Sequence, residues 1–201
     1  MSVSHTLTAP TELSVEIRKS RFRVRAAPVE SPAAAMAFML TASDMLATHN
    51  CWAYRVGQHY RFNDDGEPGG TAGRPILQAI DGQKLDRVAV VVTRWYGGIK
   101  LGPGGLARAY GGTAAECLRL APRTPIIARS TVLVTCDFAS VAALQSRSRD
   151  LEAEVLDLKF DADGAQVHLL VADTRLESVR DLVRDLTRGR GRVDPVPTGE
   201  A

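Results

Sequence analysis

The stretch from Val88 to Tyr110 constrains the fold more than any other part of the chain. Val88, Ala89, Val90, Val91 and Val92 form an apolar run that does not alternate, which reads as a strand buried on both faces. Thr93, Arg94, Trp95 and Tyr96 end the run. Gly97, Gly98, Ile99, Lys100, Leu101, Gly102, Pro103, Gly104 and Gly105 follow, and then a helical pattern begins. Glycine frees the backbone for positive φ and lets another group approach closely. A helix starting near Gly104 or Gly105 directs unpaired N–H groups into the glycine-lined space, beside Arg94 and Lys100. Strand, glycine loop and helix N-terminus make an anion site, assigned to Arg94, Gly97, Gly98, Lys100, Gly102, Gly104 and Gly105. The alternative is a plain tight strand-to-helix connection.

Upstream, residues 1–10 are polar and contain a proline, which predicts a frayed end. Leu13, Val15 and Ile17 alternate with polar residues, and the alternation resumes at Phe22, Val24 and Ala26. These predict two strands edge to edge, or one long bent strand, with Arg21, Arg23 and Arg25 on the opposite face. Such a face either is merely solvated or forms a track for phosphates. Ser31-Pro32 predicts a helix start, with Met36, Phe38, Met39 and Leu40 on the apolar side. Residues 51–56 predict a strand preceded by His49 and Asn50. Asn63 to Pro75 is dense in turn formers and carries Asp64, Asp65 and Glu67, whose spacing is not that of a calcium loop. A helix through Ile76, Leu77 and Ile80 follows. Both glycine-rich loops adjoin helix starts, so they are expected side by side, with Arg74 and Lys100 offsetting Asp64, Asp65 and Glu67.

Leu120 to Pro125 is punctuated by two prolines and predicts a domain boundary, dividing the chain into 1–122 and 127–201. Beyond it the order is β-α-β-β-α-β, the split βαβ arrangement of ferredoxin-like domains. Thr174 and Glu177 read as a capping box opening the last helix. The expected class is α+β in two domains.

Charge is uneven. Residues 1–120 carry 14 Lys/Arg against 10 Asp/Glu, and residues 121–201 carry 11 against 13. The excess is too small to announce a nucleic-acid binder, yet it directs any polyanion to the first half. No apolar run approaches the roughly 20 residues that span a bilayer. Met1 to Pro10 lacks the pattern of a secretory signal, and Cys51, Cys117 and Cys136 are too scattered for a disulfide framework or zinc site. A cytoplasmic location, no membrane, no metal and no cofactor are expected. No nucleophile elbow, zinc-protease motif or phosphate-loop motif is present. His49 with Cys51 suggests a thiol–histidine pair, but no third group to orient His49 is evident.

Four blocks carry a family resemblance: His49 to Arg55, Arg61 to Pro68, Thr71 to Leu77, and Thr93 to Gly102. In order and spacing they closely resemble the YigZ/IMPACT family over roughly residues 15–120, with a weaker match to the bacterial C-terminal extension. Departures are Asn63 for serine, Gly69-Gly70 for serine-glycine, Arg74 for lysine, and Pro103 inside the glycine loop, which stiffens it. The resemblance implies a first domain like the left-handed βαβ module of a ribosomal protein and of elongation factor G domain IV. It implies a ferredoxin-like second domain, and a motif cluster of His49, Asn50, Asp64, Asp65, Glu67 and Thr71. Eukaryotic members of the family regulate translation through a protein partner. That partner system is absent from bacteria and the role does not transfer, so for a bacterial-type chain the resemblance implies, by fold analogy, a translation-associated protein that binds RNA or the ribosome. It would do so through Arg21, Arg23, Arg25, Arg74 and the Arg94/Lys100 loop, without catalysis. The alternatives are an enzyme acting on a phosphate- or carboxylate-bearing small molecule, and a protein-interaction regulator.

Overall fold

The computed structural model describes residues 4–196, and readings that touch residues 1–3 or 197–201 lie outside them. The chain divides into two compact units between Ile126 and Ile127. The first contains β1 (His5–Leu7), β2 (Thr11–Ile17), β3 (Ser20–Pro28), α1 (Pro32–Ala42), β4 (His49–Val56), β5 (His59–Asn63), α2 (Gly73–Gly82), β6 (Val88–Trp95), α3 (Pro103–Leu120) and β7 (Arg123–Pro125).

Its main sheet has the order β2-β3-β6-β4-β5, with every neighbouring pair antiparallel. β6 lies at the centre. Successive side chains of a strand point to opposite faces, so the valine run feeds two cores. Val88, Val90 and Val92 pack with Phe22, Val24, Cys51, Ile76 and Tyr110 under α2 and α3. Ala89 and Val91 pack with Ala35, Met39 and Tyr54 under α1. Burial on both faces thus arises in an antiparallel sheet covered by helices on each side. Arg94 has the parity of Val88, Val90 and Val92, which carries it to the α3 face.

β2 and β3 are an antiparallel hairpin, which resolves the choice between two strands and one bent strand. Arg18 and Lys19 form its turn at φ 47° and 65°, the left-handed values that such tight turns demand. Asn-Gly is the usual signature, so the hairpin was not readable from these residue types. Ser31 caps α1 by accepting a hydrogen bond from the Ala34 N–H at 3.1 Å. The buried side of α1 is Ala35, Met39 and Ala42, whereas Leu40 is 81% exposed. Its expected place on the apolar side is therefore corrected: it lies one position round the helix from Met39, on the solvent side.

The expected fraying of residues 1–10 is corrected for the described part. β1 pairs antiparallel with β7, and Leu7 is buried in the core. The same pairing ties Arg123–Pro125 into the first unit, so the proline-punctuated stretch is a strand and the division falls just after it. Pro103 is not inside a loop but is the first residue of α3, where its missing N–H costs nothing.

The second unit contains β8 (Arg129–Cys136), α4 (Phe138–Asp150), β9 (Glu154–Phe160), β10 (Ala165–Ala172), α5 (Leu176–Thr187) and β11 (Arg192–Pro195), in the sheet order β11-β8-β10-β9, all antiparallel. Val134, Leu144, Val167, Leu169, Val179 and Val183 make its core. Asp137 caps α4 through Ser140. The capping box at Thr174 and Glu177 does not form. Residues Asp173–Arg175 are a 3-10 turn, and α5 begins without a side-chain cap. Asp173 instead accepts a hydrogen bond from Ser130 Oγ, fixing the turn to β8. The molecule is thus a mixed α/β protein with five α-helices and antiparallel sheets among the described residues.

Candidate functional site

β4 begins at His49, so His49 and Cys51 share the α3 face of the sheet. Their neighbour across the ladder is β6, where His49 lies opposite Arg94. The acidic loop folds over this end. Asn63 Oδ1 accepts from the Asp65 N–H at 2.6 Å. Asp64 accepts from the N–H groups of Gly70, Ala72 and Gly73 at 2.8 to 2.9 Å. Asp64 therefore caps α2 from a distance. Burial alone raises a carboxyl pKa, but the N–H groups of Gly70, Gly73 and Ala72 outweigh it and hold Asp64 below its ordinary value.

Asp65, at φ 42°, does two jobs. Its carboxylate accepts from the Asn50 N–H at 2.6 Å, and its carbonyl oxygen lies 2.7 Å from His49 Nδ1. A carbonyl only accepts, so Nδ1 carries the proton, and in the neutral tautomer the lone pair is then on Nε2. This supplies the orienting group for His49 that the sequence did not reveal.

Glu67 is buried at the centre of the cluster. Its Oε1 accepts from Arg94 Nη1 at 2.6 Å and from the Tyr110 hydroxyl at 2.7 Å, and lies 3.8 Å from His49 Nε2. Arg94 also donates to Ser20 Oγ at 3.3 Å, and its Nε is buried without a hydrogen-bond partner. Phe22 and Tyr96 flank the guanidinium at 5.6 and 5.3 Å from its carbon. Cys51 donates to the Asp64 carbonyl at 3.0 Å. Burial pushes its thiol pKa far up, with a smaller opposing effect from Tyr110. A buried, protonated thiol is a poor nucleophile, so the thiol–histidine reading has no support here. Burial likewise raises the Tyr110 hydroxyl, with Cys51 and Glu67 adding to the effect, so it stays a donor.

A cavity of about 380 Å³ opens beside this cluster. Its lining comes from Thr48 and His49, from Glu67 and Pro68, from Arg94 and Tyr96, and from Lys100, Leu101, Gly102, Pro103 and Leu106. The acidic and glycine loops are thus side by side, as expected, but the charge partners differ. Arg94 meets Glu67 and backbone N–H groups meet Asp64. Among the described residues Arg74 and Lys100 form no ion pair with the acidic loop.

The glycine loop is shaped by two contacts. Gly97 presses on the hairpin turn so closely that a Cβ there would collide with the Lys19 carbonyl. Gly98 and Gly102 have φ of 87° and 72°. Gly102 is the N-cap of α3 and offers no side chain, and the first helical bond runs from the Leu106 N–H to the Gly102 carbonyl. The N–H groups of Gly104 and Gly105 therefore have no partner in the helix. Arg18 and Arg108 line a neighbouring depression with Ile17, Leu101, Gly105 and Ala109.

Other expected site residues lie elsewhere. Asn50 is on the opposite sheet face, bonded to Asp44 and Thr93. Thr71 is buried and donates to the Pro68 carbonyl at 2.6 Å. Arg74 is exposed on α2. The arginine row on β3 is partly neutralised: Arg25 pairs with Glu12 at 2.7 Å, Arg23 with Asp44 at 3.4 Å, and Arg21 stacks 3.8 Å over Trp95. The sequence missed Tyr110, Ser20, Arg18, Lys19 and Arg108. The two-residue gap between alternating runs was the available sign for Arg18-Lys19 as a hairpin tip. No group of three or more His, Cys, Asp or Glu among the described residues could hold a metal ion, and no helix there is long and apolar enough to cross a membrane.

Residues 18–118 match the Impact N-terminal domain, and residues 134–190 match a domain of unknown function, DUF1949. An IMPACT family member from the pol 5′ region of Thermus thermophilus is 51% identical over 140 residues, covering 69% of this chain and 78% of that protein. An IMPACT family member from Haemophilus influenzae is 33% identical over 194 residues, covering 92% of this chain and 93% of its own length. The solved structure of a hypothetical protein superposes with a TM-score of 0.78 at 28% identity, covering 98% of this chain and 99% of that one. With both units matched and identity sustained along nearly the whole length, the chain belongs to the IMPACT family.

Proposed function

We propose that this protein is a cytoplasmic, translation-associated factor that binds RNA, free or within the ribosome, through the end of its first unit that carries the glycine loop. The observation that carries this reading is a set of four cations around the α3 N-terminus. Arg18 and Lys19 form the hairpin tip against Gly97, Lys100 lies in the glycine loop, and Arg108 lies over the first turn of α3, 3.9 Å from the position of a Cβ on Gly104. Among the described residues none of the four makes an ion pair. A helix N-terminus with free Gly104 and Gly105 N–H groups adds partial positive charge for a phosphate. Arg23 and Arg25 contribute little, because each already faces a carboxylate. Exposed Tyr96 offers a ring on which a base can stack.

The finer fold assignment accompanies this reading. The strand order β11-β8-β10-β9 with α4 and α5 supports a ferredoxin-like second domain. The first unit is read as the module shared by a ribosomal protein and elongation factor G domain IV, an argument from analogy.

The test is fluorescence anisotropy of single-stranded and hairpin RNA over a salt series. Replacing Arg18, Lys19, Lys100 and Arg108 together by alanine should weaken binding on both RNAs. It should reduce the salt slope by about 3, since each phosphate contact releases roughly 0.7 to 0.9 of a counterion. Replacing Arg23 and Arg25 should leave the slope nearly unchanged. Equal affinity of the quadruple variant and the parent would refute RNA binding at this end.

A further inference from the structure

We propose that the cavity between the acidic and glycine loops is a binding site for a small organic acid that also carries an amino or hydroxyl group. RNA binding at the rim does not require this; Lys100 and the start of α3 are shared with that reading, whereas Glu67, His49 and the apolar wall belong to this site alone. The cavity's volume of about 380 Å³ falls in the range of small-molecule pockets. Its wall is apolar at Pro68, Tyr96, Leu101, Pro103 and Leu106, with a few polar groups among them.

Two acceptors belong to lining residues. Glu67 Oε1 takes both the Arg94 and the Tyr110 hydrogen bonds. Oε2 has no hydrogen-bond partner among the described residues, although the side chain is only 4% exposed. Glu67 lines the cavity and its Oε2 is not sealed from solvent, so it is free to accept a hydrogen bond from a ligand there. His49 Nε2 lies 3.8 Å from Oε1 and is the acceptor of the neutral ring, given the Nδ1 bond to Asp65, and a Cβ on Gly66 would sit 3.5 Å from that ring. Two adjacent acceptors recognise a donor: an ammonium, amine or hydroxyl group.

Lys100 and the start of α3 also line the cavity, and both are suited to an anion. The charged groups on the wall are Arg94, Lys100 and Glu67, which leaves one positive charge in excess. That balance fits a single acidic group on the ligand. Donor, apolar body and acid together define an amino or hydroxy acid, and the apolar wall selects one with a hydrocarbon side chain.

Isothermal titration calorimetry and thermal shift on the full chain test this with three matched series: alanine, leucine and phenylalanine; lactate, 2-hydroxyisocaproate and phenyllactate; propionate, isocaproate and phenylpropionate. At least one amino or hydroxy acid should bind and raise the melting temperature. Its unsubstituted counterpart should bind at least about ten-fold more weakly, the worth of one good hydrogen bond to a charged group. His49→Asn preserves a donor for the Asp65 carbonyl but removes the Nε2 acceptor. Lys100→Met alters only an exposed side chain without an ion pair among the described residues. Each should weaken binding roughly ten-fold at an unchanged ligand-free melting temperature. Absence of binding by all nine compounds at about 10 mM, a range that still detects millimolar sites, would overturn the proposal. So would an unsubstituted acid that binds as tightly as its amino or hydroxy partner.

Discussion

Arg94 and Glu67, 27 positions apart in sequence, meet at 2.6 Å with 6% and 4% of their side chains exposed. A charge pair this dry is tolerated only because further hydrogen bonds complete it: the Tyr110 hydroxyl donates to Glu67, and Ser20 Oγ accepts from Arg94. The value of such a pair is asymmetric, since removing one partner strands the other.

Glu67→Ala should accordingly destabilise the first unit by about 3 to 5 kcal/mol, measured by urea unfolding, because it leaves the Arg94 guanidinium buried without its counter-charge. The double variant Glu67→Gln with Arg94→Met should recover a large part of that loss. A double variant no more stable than Glu67→Ala would show that the pair contributes more than relief of a stranded charge.

Asp64→Asn should cost about 2 kcal/mol, because three N–H donors lose a charged acceptor. The dependence on pH follows from the lowered pKa of Asp64 in the fold. The carboxylate's contribution is complete above its unfolded value of about 3.9, and it is lost as pH falls through the lower folded value. The stability gap between parent and variant should therefore be constant from about pH 6 upward and close on acidification. A gap that widens toward acid would contradict the assignment.

Gly97→Ala should cost roughly 1 to 3 kcal/mol through forced separation of the glycine loop from the hairpin tip. Gly98→Ala meets nothing within 4 Å and should cost only about 1 kcal/mol, from its φ of 87°. Chemical denaturation of the two variants separates a steric cause from a backbone one; equal losses would remove the steric argument.

We propose that residues 1–126 fold without the remainder, and a chain ending at Ile126 should keep a cooperative thermal transition. A chain ending at Pro122 lacks β7, leaving β1 without its partner strand and Leu7 less secured. Its melting temperature should be lower by several degrees, about what 1 kcal/mol produces in a domain of this size. Identical melting would mean that the β1–β7 pairing contributes nothing.

Where the sequence was informative, a period or a residue type had one physical reading. The valine run could only be a doubly covered strand, Ser31-Pro32 could only start a helix, and the valines and leucines of the second unit followed their faces. Where it was silent, the deciding contact was long-range. Nothing local marks Tyr110 as the donor to Glu67 across 43 positions, or Asp64 as the cap of a helix nine residues on. Arg94 was readable as a site residue, but its partner was not, because strand parity delivers it to a face whose far wall is built by another loop. Arg21, Arg23 and Arg25 looked like a free basic row for the same reason. Glu12 and Asp44, which pair with Arg25 and Arg23, come from a neighbouring strand and a loop.

The pairing of His5 with Pro125 brings the two ends of the first unit into adjacent positions on one small sheet. Chain order in that unit is therefore nearly a closed ring, with no large gap for a linker to bridge. A circular permutant that joins residue 126 to residue 4 by a few glycines and opens between Gly57 and Gln58, in the exposed turn between β4 and β5, preserves every strand pairing in the unit. The geometry also makes the unit transplantable: inserted at the tip of a host protein's surface loop, it would enter and leave at nearly the same point and leave the host's two flanking segments together.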